Sequence, residues 1–230
     1  MTAPVTTPLP DPAAVRQHSL GVLDRLGLPI PPDGFPLVWE PGDRAELRPL
    51  PEIEARAAVL NIVLSCCFGM SQEAATAWLL DAHLLEQLTK PEWRFVVGGE
   101  GDERMFALHH EAVFALAWLL GIAMDLDPAL PAAEGLTARM PNLPAGESFA
   151  GWKARTLSAP RGPVDAAVQL DLYYCLDWSY LTAEREGRQL PGLIDSNTVG
   201  QRRWALEWAV ALYGPFHGPV PGWEDVDLSV

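Results

Sequence analysis

Residues 52–69 read EIEARAAVLNIVLSCCFG, and the spacing of their apolar side chains indicates a long helix. Ile53, Ala57, Leu60, Leu64 and Cys67 recur every three or four residues, which places them in one stripe along the helix. An amphipathic helix is stabilised mainly by burying such a stripe against other elements. The stretch therefore predicts a core helix that packs against neighbouring helices.

Similar signals predict helices along the rest of the chain. Capping residues, terminal glycines and apolar spacing place them at about 12–26, 71–88, 90–97, 102–124, 147–156, 163–186 and 196–214, and residues 89–92 (TKPE) have the signature of a capping box. We find no convincing alternation of apolar and polar residues of the kind typical of strands. We therefore predict an all-α fold, a single compact helical domain of about seven or eight helices. It would cover residues 11–230 and follow a flexible N-terminal tail, residues 1–10.

One stretch near the N-terminus contains too many prolines for regular structure. Residues 28–51 read LPIPPDGFPLVWEPGDRAELRPLP. Phe35, Leu37 and Trp39 are the side chains that could anchor this stretch to a core. We therefore predict an ordered, proline-rich loop that wraps around the helices.

The composition excludes some classes of partner. The formal net charge is −14 at pH 7. Nucleic-acid binding depends mainly on Lys and Arg that displace counterions, so we expect no nucleic-acid partner. The same charge fits a protein partner with a basic surface. The oligomeric state does not follow from the composition.

The cysteines and the apolar runs indicate a location. Cys66, Cys67 and Cys175 form neither a CxxC motif nor a paired framework, which favours a reducing compartment. The N-terminal sequence MTAPVTTPLPDP lacks the basic and apolar regions of a signal peptide. The longest apolar run, residues 112–124, is shorter than the roughly 20 residues that cross a bilayer. We expect a soluble cytoplasmic protein that does not associate with a membrane.

The histidine-rich segment HHEAVFALAWLLGI, residues 109–122, resembles a metal motif only in part. His110 and Glu111 begin the zinc-protease pattern HExxH, but the second histidine position is Phe114. His109 projects about 100° away from His110 around a helix, so the two cannot bind one metal from the same face. Residues 146–151 are one residue too long for a GxSxG nucleophile motif. We therefore predict no metal, no cofactor and no catalytic residue.

Glu111 lies on the same helical face as Trp118, which indicates that the carboxylate points inward. A carboxylate that faces a core has to be paired, hydrogen-bonded or neutralised. Arg56, Arg202 and Arg203 are the partners that the sequence offers, and we expect at least one of them near Glu111. Glu111 would then belong either to a structural ion pair or to a ligand pocket.

Aromatic residues form a second inward set. Asp171, Tyr174 and Trp178 share one face of the predicted long helix, and Trp204 and Trp208 are one turn apart on the last helix. Aromatic stripes at helical spacing usually pack in a core, and a platform for a sugar or a base is the alternative. The N–H group of a buried indole needs an acceptor, which Asp171 or Asp177 could provide.

Taken together, several segments resemble a known family. They are ELRPLPEIEARAAVL (46–60), LHHEAVFALAWLLGI (108–122), LDLYYCLDWSYLTA (170–183), VGQRRWALEW (199–208) and PGWEDVDLSV (221–230). Their order and spacing resemble an uncharacterised bacterial family, the domain of unknown function numbered 4272. The matching positions are Glu52, Ile53, Arg56, Glu111, Ala112, Trp118, Asp171, Tyr174, Trp178, Arg202, Arg203, Ala205, Leu206, Trp208 and Trp223.

The resemblance implies an all-helical cytosolic protein and supplies no established activity. The chain departs from the family pattern at Cys175 and Asp177, where the family has arginine and histidine, and at Gln201, where glutamate is usual. If the family uses that arginine and histidine chemically, this chain lacks the step.

Two functions are compatible with the sequence. In the first, the chain is a non-catalytic protein-interaction or accessory module, for example an antitoxin-like one, and its inward polar residues support a tryptophan core. In the second, those residues line a pocket that binds or hydrolyses a small polar or anionic ligand. The candidate binding residues in both cases are Arg56, Glu111, Trp118, Asp171, Tyr174, Trp178, Arg202, Arg203, Trp208 and Trp223.

Overall fold

A computed structural model of the chain describes residues 6–133, 135–156 and 159–229. The α-helices are α1 (Pro12–Arg25), α2 (Leu50–Cys67), α3 (Gln72–Asp81), α4 (Lys90–Val96), α5 (Glu103–Ala107), α6 (His109–Leu119), α7 (Leu136–Arg139), α8 (Phe149–Arg155), α9 (Pro163–Arg185) and α10 (Ser196–Ala209). The strands are β1 (Thr7–Pro8), β2 (Arg44–Leu47) and β3 (Val210–Tyr213). Short 3₁₀ turns lie at Leu85–Gln87, Leu143–Ala145 and Trp223–Asp225. The protein is therefore mostly helical and contains a small sheet.

The chain divides into two compact units. The first comprises Met1–Arg48, Asp127–Pro131 and Arg161–Val230, and the second comprises Pro49–Leu126 and Ala132–Pro160. The single domain expected over residues 11–230 stays a prediction. Of the tail expected at residues 1–10, residues 1–5 lie outside the described part of the chain, and Thr7–Pro8 forms β1.

Local capping chemistry explains where several helices begin. The side chain of Asp11 accepts a hydrogen bond from the Ala14 amide at the start of α1, and Asp195 accepts one from Thr198 at the start of α10. Thr89 begins α4 with a complete capping box, as the sequence predicts. These side chains satisfy amides that have no partner inside the helix.

The all-α prediction is wrong at the sheet. The three strands are antiparallel in the order β1-β2-β3, with Thr7 opposite Ala45 and Ala45 opposite Leu212. β2 lies inside the stretch that we expected to lack regular structure, and β3 replaces the end of the last predicted helix, which ends at Ala209. The β2 sequence RAEL alternates polar and apolar residues, but only over four positions in a proline-rich stretch, so its strand conformation depends on pairing with β3.

Two predicted helices are shorter than expected. The helix predicted at 71–88 ends at Asp81, and His83 follows with a φ of 55°. The helix predicted at 102–124 is divided at Leu108 into α5 and α6, and α6 ends at Leu119. Gly121 has a φ of 73°, and a Cβ there would lie 2.2 Å from the carbonyl oxygen of Ala159. Because of this close approach only glycine fits at position 121, and its left-handed conformation ends the helix before residue 124.

In the first unit α9 packs against both α1 and α10, and β2 also contacts α9. Leu170, Tyr173 and Leu176 of α9 are completely buried in the core that results. Because α9 lies between α1 and α10, it presents polar side chains to both of them. This arrangement positions the candidate site described below.

In the second unit α2 is the central helix. It contacts α3, α4, α5 and α6, and all of residues 53–64 except Glu54 are buried. The prediction of an amphipathic helix with one buried stripe is therefore wrong in part, because the opposite face, which includes Ala55, Ala58 and Ile62, is buried as well. Among the described residues, no helix has both the length and the apolar character needed to cross a membrane.

Candidate functional site

Asp171 on α9 lies in a buried cluster with two residues of α1. Arg16 donates from Nη2 and Nε to the Asp171 carboxylate at 2.7 and 3.1 Å, and the Ser19 hydroxyl donates to the other oxygen at 2.7 Å. Arg16 also donates to the carbonyl oxygens of Phe35 and Pro36. Arg16 was not predicted as a site residue. One signal in the sequence was its spacing of three residues from Ser19, which places both on one face of α1.

Tyr174 joins this cluster to α10. Its ring stacks on Phe35 with centroids 4.9 Å apart, and the guanidinium carbons of Arg203 and Arg16 lie 4.7 and 5.7 Å from its centroid. Phe35 also contacts Trp178, with ring centroids 6.0 Å apart. The structure thus brings Asp171, Tyr174 and Trp178 together on one face of α9, and Phe35 anchors its loop against two of them.

Arg203 of α10 is the second buried cation of the cluster. It donates to Asp177 at 2.6 Å, to Glu207 at 3.3 Å and to the carbonyl oxygen of Leu228 at 3.0 Å. Its side chain is only 1% exposed, so these acceptors replace water around the charge. Asp177, a departure from the family pattern, is therefore the ion-pair partner of Arg203.

The thiol of Cys175, the other departure, lies in the same core. Burial raises the pKa of Cys175 to about 12, so the residue remains a neutral thiol at neutral pH. This position therefore contributes a neutral, buried side chain to the packing of the core.

The carboxyl groups beside Arg203 have perturbed pKa values. Burial raises the pKa of Asp177 and of Glu207, and the nearby positive charge of Arg203 acts in the opposite direction at both. Burial also raises the pKa of Tyr174. Asp177 and Glu207 therefore share the guanidinium of Arg203 beside the ring of Tyr174, and both carboxyl groups have raised pKa values.

Glu207→Gln is expected to raise the melting temperature at pH 7. Since the pKa of Glu207 is raised in the folded chain, the stability that this group contributes is complete below the unfolded pKa and falls as pH rises through the folded pKa. A neutral glutamine avoids that loss. Circular dichroism melts between about pH 3 and pH 8 measure the effect, and the gain should disappear at the acid end.

Glu147→Gln provides a control of opposite sign. A hydrogen bond from Arg155 lowers the pKa of Glu147, so its contribution is present above the unfolded pKa and is lost as pH falls. This variant should melt at a lower temperature than the wild type at pH 7. A Glu207→Gln variant that lost stability in the same way would show that ion pairing outweighs burial at Glu207.

Arg202, although adjacent to Arg203, belongs to a different cluster. It donates to the hydroxyl of Tyr173 at 2.9 Å and to the carbonyl oxygens of Asp127 and Leu130 at 2.7 Å each. Successive helical residues project about 100° apart, so the two guanidinium groups serve separate surroundings. Arg202 therefore holds the Asp127–Pro131 segment within the first unit.

Trp208 and Trp223 form an aromatic cluster with Trp204. Trp223 stacks on Trp204 at 5.8 Å and meets Trp208 edge to face at 5.4 Å. The Trp204 indole donates to the carbonyl oxygen of Trp223 at 2.7 Å, and the Arg48 guanidinium carbon lies 4.5 Å from the centroid of the Trp208 ring. The predicted stripe of Trp204 and Trp208 is confirmed, and it packs against the C-terminal segment.

In the second unit Arg56 pairs with a residue that we did not predict as its partner. Its ion-pair partner is Glu92 of α4, and it also donates to the carbonyl oxygen of Gln87 at 3.3 Å. Glu92 at the same time accepts a hydrogen bond from the Thr89 amide at 2.8 Å. One carboxylate therefore closes the capping box and neutralises Arg56. The predicted capping box was the signal that could have identified it.

Glu111 is half-buried, and Trp118 on the same helix is buried. The Glu111 carboxylate accepts a hydrogen bond from the Ala132 amide at 3.0 Å. Its pairing with an arginine stays a prediction.

Glu111→Ala tests that pairing through the urea midpoint. A loss of about 3–5 kcal/mol in the free energy of unfolding is expected for an ion pair with a buried arginine. Removing the charged acceptor of the Ala132 amide would by itself cost about 1.5–3 kcal/mol. A change close to zero would contradict both.

The cavities that we describe are lined by residues of the second unit. One of about 490 Å³ is lined by Ser65, Phe68, Met70, Ala74, Leu143 and Pro144, and a smaller one of about 60 Å³ shares Ser65 and Phe68 with it. Two others lie near Trp93 and near Met124. None of these cavities is lined by a predicted site residue. In residues 6–133, 135–156 and 159–229, no group of three or more His, Cys, Asp or Glu is arranged to hold a metal ion.

Comparison with known proteins identifies a family and supplies no function. No curated protein and no solved structure matches the chain significantly. A sequence model described as "Domain of unknown function (DUF4272)" matches residues 15–226, and the chain therefore belongs to this family.

Proposed function

We propose that the chain is a non-catalytic protein-interaction module whose partner presents a basic surface. The observation that carries the proposal is the mutual pairing of the buried charges. Arg16 is neutralised by Asp171, Arg203 by Asp177 and Glu207, and Arg56 by Glu92. A buried ion pair of this kind is structural: it adds little net stability, but removing one member can strand the other charge in the interior.

The surface supports an interaction role. The net charge of −14 favours association with a basic protein and would speed the encounter at low salt. Phe68 and Phe216 are each 81% exposed, and Leu193 is 80% exposed. Large apolar side chains that are exposed to water can mark a surface that a partner protein covers. The free thiols Cys66, Cys67 and Cys175 support a reducing compartment, and we place the module in the cytoplasm.

Affinity capture from a native lysate tests the proposal. The immobilised protein should retain a defined basic protein at about 50 mM salt and release most of it at about 500 mM, because surface charge attraction is screened. An unrelated protein of similar net charge serves as the control bait. Failure to retain any specific partner in repeated captures would contradict the proposal.

The second candidate is binding or hydrolysis of a small polar ligand. It is supported by the raised pKa values of Asp177 and Glu207 beside Tyr174, because perturbed carboxyl groups are common at functional sites. A thermal-shift screen distinguishes the two candidates. A ligand at 100 times its dissociation constant should add about 2.7 kcal/mol of stability.

A further inference from the structure

The second unit has an apolar groove where α2 ends and α3 begins. Phe68, Met70, Ala74, Leu143 and Pro144 supply its apolar surface, and its volume is about 490 Å³. Phe68 is 81% exposed, while Leu64, one turn earlier on α2, is buried and lines the smaller cavity beneath. A hydrophobic side chain inserted beside Phe68 would therefore meet a surface that continues into the core.

The loop of residues 99–103 brings acidic residues to one side of the groove. The Cys67 thiol donates to the carbonyl oxygen of Glu103 at 3.6 Å, and the Glu103 carboxylate contributes to raising the pKa of Cys67. The side chain of Gln72 packs so closely on Gly99 that a Cβ there would lie 2.1 Å from Nε2. These contacts hold the loop against Cys67 and Gln72, which are the sequence neighbours of the groove residues Phe68 and Ser71.

The exposed charges closest in sequence to the groove residues of α2 and α3 are mainly negative. Glu73 lies two positions after the groove residue Ser71, Glu100 and Asp102 belong to the neighbouring loop, and Glu103 begins α5. All four are exposed. In the stretches 65–74 and 100–104 the only basic residue is Arg104. An occupant with Lys or Arg beside its apolar anchors would match this pattern, and an acidic occupant would be repelled.

We infer that this groove binds a basic amphipathic helix of the partner protein, with an apolar face against Phe68 and Met70 and lysine or arginine side chains toward Glu73 and Glu103. Helices bind grooves in this way through anchors spaced one turn apart. The inference rests on the proposed interaction function and assigns the surface and the chemistry of the partner.

The first experiment measures binding of a labelled peptide of about 14 residues, built from leucine and lysine at helical spacing, by fluorescence anisotropy at about 0.15 M salt. Wild-type protein should bind this peptide and should not bind its leucine–glutamate counterpart. Phe68→Ser should weaken binding by at least about tenfold, because it removes the exposed anchor and leaves the charge unchanged. Phe216→Ser is the matched control, since that side chain is equally exposed but lies in the other unit.

Charge reversal provides the second experiment. The double variant Glu73→Lys/Glu103→Lys should lose the lysine peptide and gain the glutamate peptide. Four outcomes would overturn the inference. They are no binding of the lysine peptide, equal binding of both peptides, binding that Phe68→Ser does not change, and self-association of the wild type that Phe68→Ser abolishes. If lysate capture of a basic partner is the same for Phe68→Ser and wild type, the interaction function stands and this groove is excluded.

Discussion

Replacing Asp171 with alanine is expected to lower the free energy of unfolding by about 3–5 kcal/mol. The change leaves the Arg16 guanidinium, whose side chain is 8% exposed, without its carboxylate, and it removes the acceptor of the Ser19 hydroxyl. A buried charge without a partner has lost both its hydration and its ion pair. We therefore expect Asp171→Ala to be one of the most destabilising substitutions in the first unit.

The measurement combines urea unfolding with hydrogen exchange. The urea midpoint gives the size of the loss, and exchange should accelerate most in α1 and α9, which the pair joins. The double variant Arg16→Met/Asp171→Leu is the matched control, because it removes both charges and leaves neither stranded. It should be close to the wild type in stability. A single variant that lost less than about 1 kcal/mol would mean that water reaches Arg16 freely.

Arg203→Ala is expected to have an effect of similar size, again about 3–5 kcal/mol. It leaves Asp177 and Glu207 facing each other across the space of a lost cation, and it removes the donor to the carbonyl oxygen of Leu228. The contact of the guanidinium with the Tyr174 ring is lost as well. The pKa values of both acids, already raised by burial, should rise further.

The pH dependence of this variant separates charge from packing. Since both acids would be protonated at low pH, Arg203→Ala should lose most of its deficit relative to the wild type as pH falls below about 4. The variant Arg203→Lys keeps a positive charge but loses the planar set of donors. Its loss of stability should therefore be smaller than that of Arg203→Ala. A deficit for Arg203→Ala that did not change with pH would assign the role of Arg203 to packing alone.

Local chemistry made much of the helical structure predictable. Asp11, Thr89 and Asp195 each cap a helix that the sequence placed correctly at its start, because a cap depends on residues within three positions. The shared face of Asp171, Tyr174 and Trp178 was predictable for the same reason, since helical geometry alone determines it. The family, too, followed from the order and spacing of short motifs.

The ion-pair partners were not predictable. Arg56 was expected near Glu111 as one of three alternatives, and its partner is Glu92; Asp171 pairs with Arg16, which is 155 residues away in the chain. Several acidic residues could pair with any one arginine, and the spacing of residues along a helix does not show which of them will lie next to it. The choice is made by how α1, α9 and α10 pack.

The sequence by itself determined the helical character, the starts of α1, α4 and α10 and the shared face of Asp171, Tyr174 and Trp178, because these depend on residues within one or two turns of one another. Only the tertiary structure decided the sheet, the partner of each buried arginine and the groove beside Phe68. β2 and β3 are short, and the alternation in RAEL extends over only four residues. The strands pair residues that are more than 160 positions apart in the chain, for example Arg44 with Tyr213. Interactions between residues so far apart in the chain form only in the completed fold, so no local sequence pattern predicts them.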